Sequence, residues 1–201
     1  MNRHFESSTI RFYDEHADEY VRSTVGVDMV PLYKPFLKLI PIGGKILDAG
    51  CGSGRDSKVF LDRGYSVLSI DASQMMVAAA TEFTGQQAVR VAIQDIDDDG
   101  EFDGIWACAS LLHLPFAELP DTFRRLTRAL RPSGVIYASF KVGNGEHWQG
   151  ERLFSDMNEP RLDELLVDIA ELKITESWRT EDLRPDRSGE WLNVLLNRTT
   201  K

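Results

Sequence analysis

The stretch that decides the fold is Leu47-Asp48-Ala49-Gly50-Cys51-Gly52-Ser53-Gly54. The apolar residues before Asp48 predict a buried strand, and the three glycines allow the chain to turn sharply into a helix. Because glycine has no side chain, a ligand can approach the backbone of such a turn closely. The first amides of the following helix are unpaired and carry a partial positive charge, which would suit a carboxylate.

Outward from this glycine turn, short β-branched segments alternate with segments of helical spacing. Further strands are predicted at residues 66–70, 89–93, 102–107 and 135–140, with a helix capped by Ser73 after the second strand. This alternation predicts an α/β fold, a parallel sheet with helices on both faces. Two last strands, at 173–178 and 191–196, are joined by too few residues for a crossover helix, so they are expected to pair antiparallel.

The chain of 201 residues is expected to form a single domain, 1–201. It divides into a helical lead-in (1–40), a core (45–140), a loop-like insertion (141–160), and a C-terminal helix with the antiparallel strand pair (161–201). In the lead-in, Tyr13, Ala17 and Tyr20 recur at helical spacing, which places them on one face.

Composition narrows the class of protein. No apolar run is long enough to cross a bilayer, and Met1–Ser8 lacks the apolar core of a signal peptide, so a reducing cytoplasm is the expected location. The two cysteines and four histidines have no metal-ligand spacing. A net charge of −9 disfavours tight nonspecific binding to nucleic acid. Arg179, Arg184 and Arg187 could still form a local basic patch, although a solvated loop is the simpler interpretation.

Asp71 ends the strand that follows the glycine turn, at a position where a carboxylate can accept both hydroxyls of a ribose. The arrangement is close to the fingerprint of nicotinamide dinucleotide enzymes, which requires G-x-G-x-x-G. This chain has G-x-G-x-G, with Asp56 and Ser57 following in place of a third packing glycine. A dinucleotide-dependent oxidoreductase is therefore the less favoured alternative.

The ordered set of motifs resembles the class I S-adenosylmethionine-dependent methyltransferases over residues 10–140. The glycine turn is similar to their first motif, Ile70–Met76 to their second and Asp95-Ile96 to their third. Residues 102–115 are similar to the fourth strand and its loop, and 130–135 to the turn before the fifth, with Ser133 where the family usually has glycine. The resemblance implies a Rossmann-like, seven-stranded, mostly parallel sheet whose last strand is antiparallel.

The resemblance also implies a binding site for S-adenosylmethionine. Gly50 and Gly52 would line its methionine and ribose portions, Asp48 would lie near the amino group, and Asp71 would hold the ribose. Ala72 and Met76 would flank the adenine, and Asp95 would accept from its amino group. The full predicted set is Tyr13, Tyr20, Asp48, Ala49, Gly50, Cys51, Gly52, Arg55, Asp71, Ala72, Ser73, Met76, Asp95, Ile96 and Ala109.

Several of these predicted binding residues could instead have simpler roles. Met76 could be core, Asp95 a turn residue, Cys51 a small packing residue, and Arg55 a solvated helix residue. Tyr13 and Tyr20 could pack against the sheet instead of contacting a ligand. It is the order of the whole set that favours the binding site.

The insertion follows the fifth strand, near the expected pocket, and long loops in compact domains are often functional. The candidates for a substrate lid are therefore Lys141, His147, Trp148, Arg152 and Phe154. The alternative is that the insertion is a surface loop with no role in binding. Segments around Gly54, Ser139, Gly150 and Arg184 resemble a bacterial branch related to the tellurite-resistance methyltransferases.

The expected reaction is in-line transfer of a methyl group to a small-molecule acceptor that the sequence does not identify. An oxygen or amine acceptor would have to lose a proton, and His113 is the candidate base by position, although a lone histidine in such a loop is more often structural. The principal alternative is a protein that binds the same cofactor without transferring the methyl group. No catalytic residue, metal site or oligomeric state follows from the sequence.

Overall fold

The computed structural model describes residues 7–185 and 187–199. Residues 1–6 lie outside the described residues, and they include most of the segment considered as a signal peptide. Asp186 and the last two residues also lie outside them. The seven helices of the described chain are α1 (Ser8–Glu15), α2 (Ala17–Thr24), α3 (Val30–Leu37), α4 (Arg55–Asp62), α5 (Gln74–Thr84), α6 (Leu119–Ala129) and α7 (Glu159–Leu166).

A seven-stranded sheet forms the centre of the molecule, in the order β3-β2-β1-β4-β5-β9-β8. Strand β9 is antiparallel to both of its neighbours, and β1 to β5 pair in parallel. The predicted fold class and the antiparallel pairing of the last two strands are confirmed. The strands are β1 (Lys45–Ala49), β2 (Ser66–Asp71), β3 (Val89–Arg90), β4 (Phe102–Ala107), β5 (Leu130–Lys141), β8 (Leu172–Glu181) and β9 (Glu190–Arg198), with β6 (Gly145–Gln149) and β7 (Arg152–Asp156) outside the sheet.

Apolar side chains cover both faces of the sheet. Successive strand residues point to opposite faces, so Ile105 and Trp106 of β4 belong to different clusters. On one side Ile105 packs in the cluster that includes Phe123 of α6. On the other, Trp106 stacks on Tyr137 of β5 with ring centroids 3.9 Å apart. From β1 the sheet continues through β2 to β3 in one direction, and from β4 to β5 in the other. The boundary between β1 and β4 is therefore a topological switch point, and such sheets bind ligands there, at the carboxyl ends of the strands.

Two local predictions were wrong. The strand predicted at 89–93 ends at Arg90, because the chain then turns inward and buries Ile93 within a short 3-10 helix, Ile93–Asp95. Residues 141–160 are not a loop: β6 and β7 form an antiparallel hairpin. Within the helical lead-in, His16 has φ −114° and ψ 22° and separates α1 from α2. Ser133 has φ 66°, which explains why a glycine is common at that turn in the family it resembles.

Candidate active site

The glycine turn has the left-handed backbone that its sequence predicts. Gly50, Gly52 and Gly54 have φ values of 82°, 51° and 78°. A Cβ atom on Gly50 would lie 2.4 Å from Cβ of Ser110, and one on Gly52 would lie 3.3 Å from Cε1 of Tyr20. The turn therefore needs glycine both for its backbone conformation and for the close approach of neighbouring side chains.

Asp71 joins the turn to the second strand. One of its carboxylate oxygens accepts the Gly52 amide hydrogen and the other accepts that of Ser73, each at 2.9 Å. Burial raises the pKa of Asp71 above its ordinary value, and the two backbone donors only partly offset this. The carboxylate keeps lone pairs that face a cavity, so it can accept further hydrogen bonds from a ligand.

A cavity of about 520 Å³ opens at the glycine turn, and we name it the turn cavity. Its size and mixed polar and apolar wall suit a small molecule or cofactor. Of the side chains and backbone positions predicted to bind the cofactor, eight line it: Tyr13, Tyr20, Gly50, Gly52, Asp71, Ala72, Met76 and Ala109.

Six others of the predicted set do not line this cavity: Asp48, Ala49, Cys51, Ser73, Asp95 and Ile96. Asp48 lies beneath the turn, only 2% exposed, and accepts a hydrogen bond from Ser57. Burial and the neighbouring Asp56 raise the pKa of Asp48 to about 8. Cys51 and Ile96 are buried in the core, and Ser73 caps α5 through the Met76 amide. The buried residues Asp48, Ala49, Cys51, Ser73 and Ile96 therefore lie behind the wall and do not form its surface.

The wall also contains residues that sequence reasoning missed, among them Ile93, Gln94 and Ser110. Ile93 and Gln94 directly precede the predicted Asp95-Ile96, and the short 3-10 helix brings them to the surface of the cavity in place of that pair. Ser110 donates to the Ala49 carbonyl at 2.7 Å and so fixes the loop after β4 against the turn.

A second cavity, of about 550 Å³, lies beside the first, and we name it the tail cavity because residues of β8, β9 and their link line it. Arg55 belongs to this cavity and not to the turn cavity. Its guanidinium pairs with Asp56 at 2.6 and 2.9 Å, so it is already neutralised. The two cavities share five wall residues: Tyr13, Tyr20, Cys108, Ala109 and His113.

Ala109 stands in this shared wall with φ 52°, a left-handed conformation that costs a non-glycine residue about 1–2 kcal/mol. Its amide donates to Ser139 Oγ at 2.8 Å. Among the residues that the structure describes, only Ser133 shares such a positive φ without being glycine. A strained backbone held in place by its surroundings is common where a chain contacts a ligand.

His113 lies in the shared wall with both ring nitrogens engaged. Nδ1 is 2.7 Å from the Leu153 carbonyl and Nε2 is 2.9 Å from the Tyr13 hydroxyl. Burial lowers the pKa of His113 to about 4, and the positive charges of Arg152 and Lys141 act in the same direction. The imidazole is therefore neutral at pH 7. Burial raises the pKa of the neighbouring Cys108 thiol to about 12, so no thiolate is present in this wall either.

The predicted lid residues lie on β5 and the β6–β7 hairpin, and they divide between the cavities. Lys141, Arg152 and Phe154 line the tail cavity. Trp148, 61% exposed, lines the turn cavity instead. His147 lines neither of them: it stacks on Phe154 and approaches Asp156 Oδ2 at 3.3 Å.

The hairpin is tied to the lead-in helix across both cavities. Ser8 Oγ donates to the Glu151 carbonyl at 2.7 Å, and the Leu153 amide donates to Thr9 Oγ1 at 3.0 Å. The guanidinium of Arg152 lies 4.4 Å from the ring centroid of Phe12. Helix α1 and the hairpin thus form one continuous cover.

Other chemistries find less support. Within residues 7–185 and 187–199, no three histidine, cysteine, aspartate or glutamate side chains group as a metal site. The arginines considered for a basic patch are partly neutralised, because Arg179 pairs with Glu159 and Glu190, and Arg184 pairs with Asp182. Over the same residues, no helix combines the length and the apolar character that a membrane span requires.

Residues 47–138 match the model of a family described as a methyltransferase domain. The chain is 31% identical over 106 residues to a 2-methyl-6-phytyl-1,4-hydroquinone methyltransferase of Synechocystis sp., a match that covers 50% of this chain and 33% of that protein. The chain spans less than half the length of this and other curated relatives that it matches.

Solved structures share the fold over most of the chain. The 1,6-didemethyltoxoflavin-N1-methyltransferase of Burkholderia thailandensis, with S-adenosylhomocysteine bound, has a TM-score of 0.76 and 24% identity, covering 95% of this chain and 85% of that one. A TehB-like S-adenosylmethionine-dependent methyltransferase of Corynebacterium glutamicum has a TM-score of 0.70 and 20% identity, covering 92% and 99%. At this identity the second match shows the fold and does not assign the tellurite-resistance branch, which stays a prediction. Residues 47–138 therefore match a methyltransferase-domain family, and the chain as a whole has the fold of these solved methyltransferase structures.

Proposed function

We propose that this protein transfers a methyl group from S-adenosylmethionine to a small-molecule acceptor. The observation that carries the proposal is the shared wall of the two cavities, at Tyr13, Tyr20, Cys108, Ala109 and His113. A cofactor in the turn cavity and an acceptor in the tail cavity would meet at this wall. Direct displacement needs such an arrangement, since positioning of the reactants can supply about 7–11 kcal/mol of the acceleration.

The residues of the turn cavity fit the cofactor. Gly50 and Gly52 leave open the space next to Ser110 and Tyr20 that a Cβ atom would occupy, and Asp71 offers a carboxylate to ribose hydroxyls. Ala72, Met76 and Ile93 supply apolar contacts for a purine. When bound, S-adenosylmethionine supplies an activated methyl group on a positively charged sulfur. The protein's part is to hold it and to exclude water beneath α1 and the hairpin.

His113 is better placed to position Tyr13 than to remove a proton. Its Nε2 accepts from the Tyr13 hydroxyl, and the imidazole has little affinity for a proton at neutral pH. The geometry therefore favours an acceptor atom that is already nucleophilic when it binds.

The small size of the acceptor is supported by the tail cavity, whose volume lies within the usual range for small-molecule sites. The overall net charge of −9 and the ion-paired arginines argue against a nucleic-acid acceptor. Both cysteines are free thiols, which supports a cytoplasmic location.

Isothermal titration calorimetry of the full chain against S-adenosylhomocysteine and against NADH tests the proposal. We expect the first to bind and NADH not to bind. A folded protein that binds neither would contradict the proposed function. Binding of NADH alone would favour the oxidoreductase alternative.

A further inference from the structure

Two cations in the tail cavity pack on one aromatic ring. Nζ of Lys141 lies 4.2 Å from the ring centroid of Phe154, and Cζ of Arg152 lies 5.3 Å from the same centroid. Arg152 is also held by Phe12 on the lead-in helix. Within the described part of the chain, neither cation forms an ion pair with a carboxylate. Aromatic rings hold both charges in place without neutralising them.

Two other arginines of the same cavity are engaged differently. Arg55 and Arg184 each make two hydrogen bonds to an aspartate carboxylate, Asp56 and Asp182 respectively. Their charge is matched inside the protein, and a ligand would gain less from them. The charge of Lys141 and Arg152 remains available on the cavity wall.

The Nε atom of Arg152 is buried and has no hydrogen-bond partner among the described residues. A buried donor without an acceptor is costly, and native structures leave few of them. Among the described residues, the Lys141 ammonium makes one long hydrogen bond, 3.4 Å to Oε1 of Gln149. An oxygen anion bound between the Arg152 guanidinium and the Lys141 ammonium would supply the missing charge.

The charges that face Lys141 explain why an anion would be favoured there. Burial lowers the pKa of Lys141, and the nearby Arg152 and Arg184 lower it further, whereas Asp156 and Asp182 act in the opposite direction. Asp182 pairs with Arg184, and Asp156 lies against His147. Asp182 is therefore matched by Arg184, whereas Oδ1 of Asp156 is buried without a hydrogen-bond partner among the described residues.

This pair of cations lies next to the wall that the two cavities share. Arg152 is close enough to the Tyr13 hydroxyl to oppose the rise in its pKa that burial causes. We propose that the acceptor is a small organic anion, and that Arg152 and Lys141 bind its carboxylate or phosphate group against Phe154. This inference rests on the proposed function, because it assigns the acceptor class for the same site.

Three probes of similar shape test it by calorimetry on the full chain saturated with S-adenosylhomocysteine: benzoate, phenyl phosphate and the neutral benzamide. We expect at least one of the two anions to bind, and benzamide to bind at least about 10-fold more weakly, since hydrogen bonds between two charged groups are stronger than those of a neutral amide. Which anion binds more tightly distinguishes a carboxylate from a phosphate.

Variants identify the residues. Arg152→Gln and Lys141→Gln should each weaken the anion by about 10-fold or more, and Arg152→Lys should retain part of the affinity. Arg124→Gln and Lys173→Gln, at exposed positions outside both cavities, are matched controls that should leave it unchanged. Binding of S-adenosylhomocysteine by the variants shows that they are folded.

Three results would overturn the inference. Benzamide could bind as tightly as the anions, Arg152→Gln could leave anion binding unchanged, or both anions could fail to bind at millimolar concentration. In each of these cases the wild-type protein still binds S-adenosylhomocysteine, so the proposed function would stand. Loss of that binding in the wild type would instead contradict the proposed function itself.

Discussion

The hydroxyl of Tyr13 donates to Nε2 of His113 across 2.9 Å, and both residues border the two cavities. The direction of this bond follows from the other ring nitrogen: Nδ1 faces the Leu153 carbonyl, which can only accept, so Nδ1 carries the hydrogen. The pair connects helix α1 with the loop after β4, and through Leu153 with the hairpin. One neutral histidine thus holds three separate segments around the proposed reaction site.

The neutral state of His113 predicts a measurable loss of stability in mild acid. Burial lowers the folded-state pKa to about 4, from 6.5 for the free side chain, so the unfolded chain takes up a proton at higher pH than the folded chain does. The stabilisation is present above pH 6.5 and is lost as the pH falls toward 4. The His113 side chain is partly exposed where it faces the cavities, so solvent screens part of this effect. We expect His113 to lower the free energy of unfolding by about 1–2 kcal/mol between pH 7 and pH 5.

The variant His113→Asn tests this, since the asparagine amide can still donate to the Leu153 carbonyl but does not titrate. Urea unfolding at pH 7 and pH 5 should show a smaller loss of unfolding free energy for the variant than for the wild type. Equal losses in the two proteins would show that His113 does not carry the effect.

Asp71 is expected to contribute strongly to cofactor affinity. Its carboxylate orients the Gly52 and Ser73 amides and faces the turn cavity, so Asp71→Asn replaces one acceptor oxygen by a donor. We expect calorimetry to show S-adenosylhomocysteine binding about 10- to 100-fold more weakly, because a hydrogen bond to a charged group is worth about 1.5–3 kcal/mol. Asp163→Asn, at an exposed position on α7, is the control. Equal affinities in the two variants would remove Asp71 from the site.

The sequence was sufficient to predict the part of the fold that depends on local pattern. Strand β1, the glycine turn and Asp71 at the end of β2 follow from hydrophobic runs punctuated by glycine and an acid, and these features need only nearby residues. The antiparallel pairing of β8 with β9 followed from the length of the link. The wall of the turn cavity was harder to predict. Ile93 and Gln94 line it in place of the expected Asp95 and Ile96, and this shift of two residues depends on how the 3-10 helix packs its apolar side chain.

Long-range packing explains the remaining differences. The hairpin of β6 and β7 is polar and rich in glycine, with no alternation that would predict strands, and it is held by contacts with α1 that are distant in sequence. The separation of two cavities could not be inferred from the chain either. It depends on Tyr13 and His113, which are far apart in sequence and meet only in the folded protein.

Trp148 is predicted to report cofactor binding by fluorescence. Its side chain is 61% exposed and lies at the wall of the turn cavity, on the hairpin that covers it. A ligand that fills the cavity should shield the indole from water and shift its emission to shorter wavelength on addition of S-adenosylhomocysteine. The shift should be absent in Trp148→Phe, although that variant still binds in calorimetry. A shift that persists in the variant would assign the signal to another tryptophan.

Gly54 and Gly64 provide a matched pair that separates backbone strain from crowding. Both have left-handed φ values, 78° and 85°. A Cβ atom on Gly54 would lie 2.9 Å from Cα of Ala80 on α5, whereas one on Gly64 would meet nothing within 4 Å. Alanine at Gly64 should therefore cost only the strain of the conformation, about 1–2 kcal/mol.

Alanine at Gly54 should cost this strain and, in addition, about 1–3 kcal/mol for forcing α4 and α5 apart, because the atoms that it meets are backbone or close to it. Urea unfolding of Gly54→Ala and Gly64→Ala measures the difference between the two positions. Since α5 also carries Met76 on the wall of the turn cavity, Gly54→Ala should weaken S-adenosylhomocysteine binding as well, and Gly64→Ala should not. If the two variants are destabilised equally and bind equally, α5 can move aside at little cost, and close helix packing is not what requires glycine at the end of the turn.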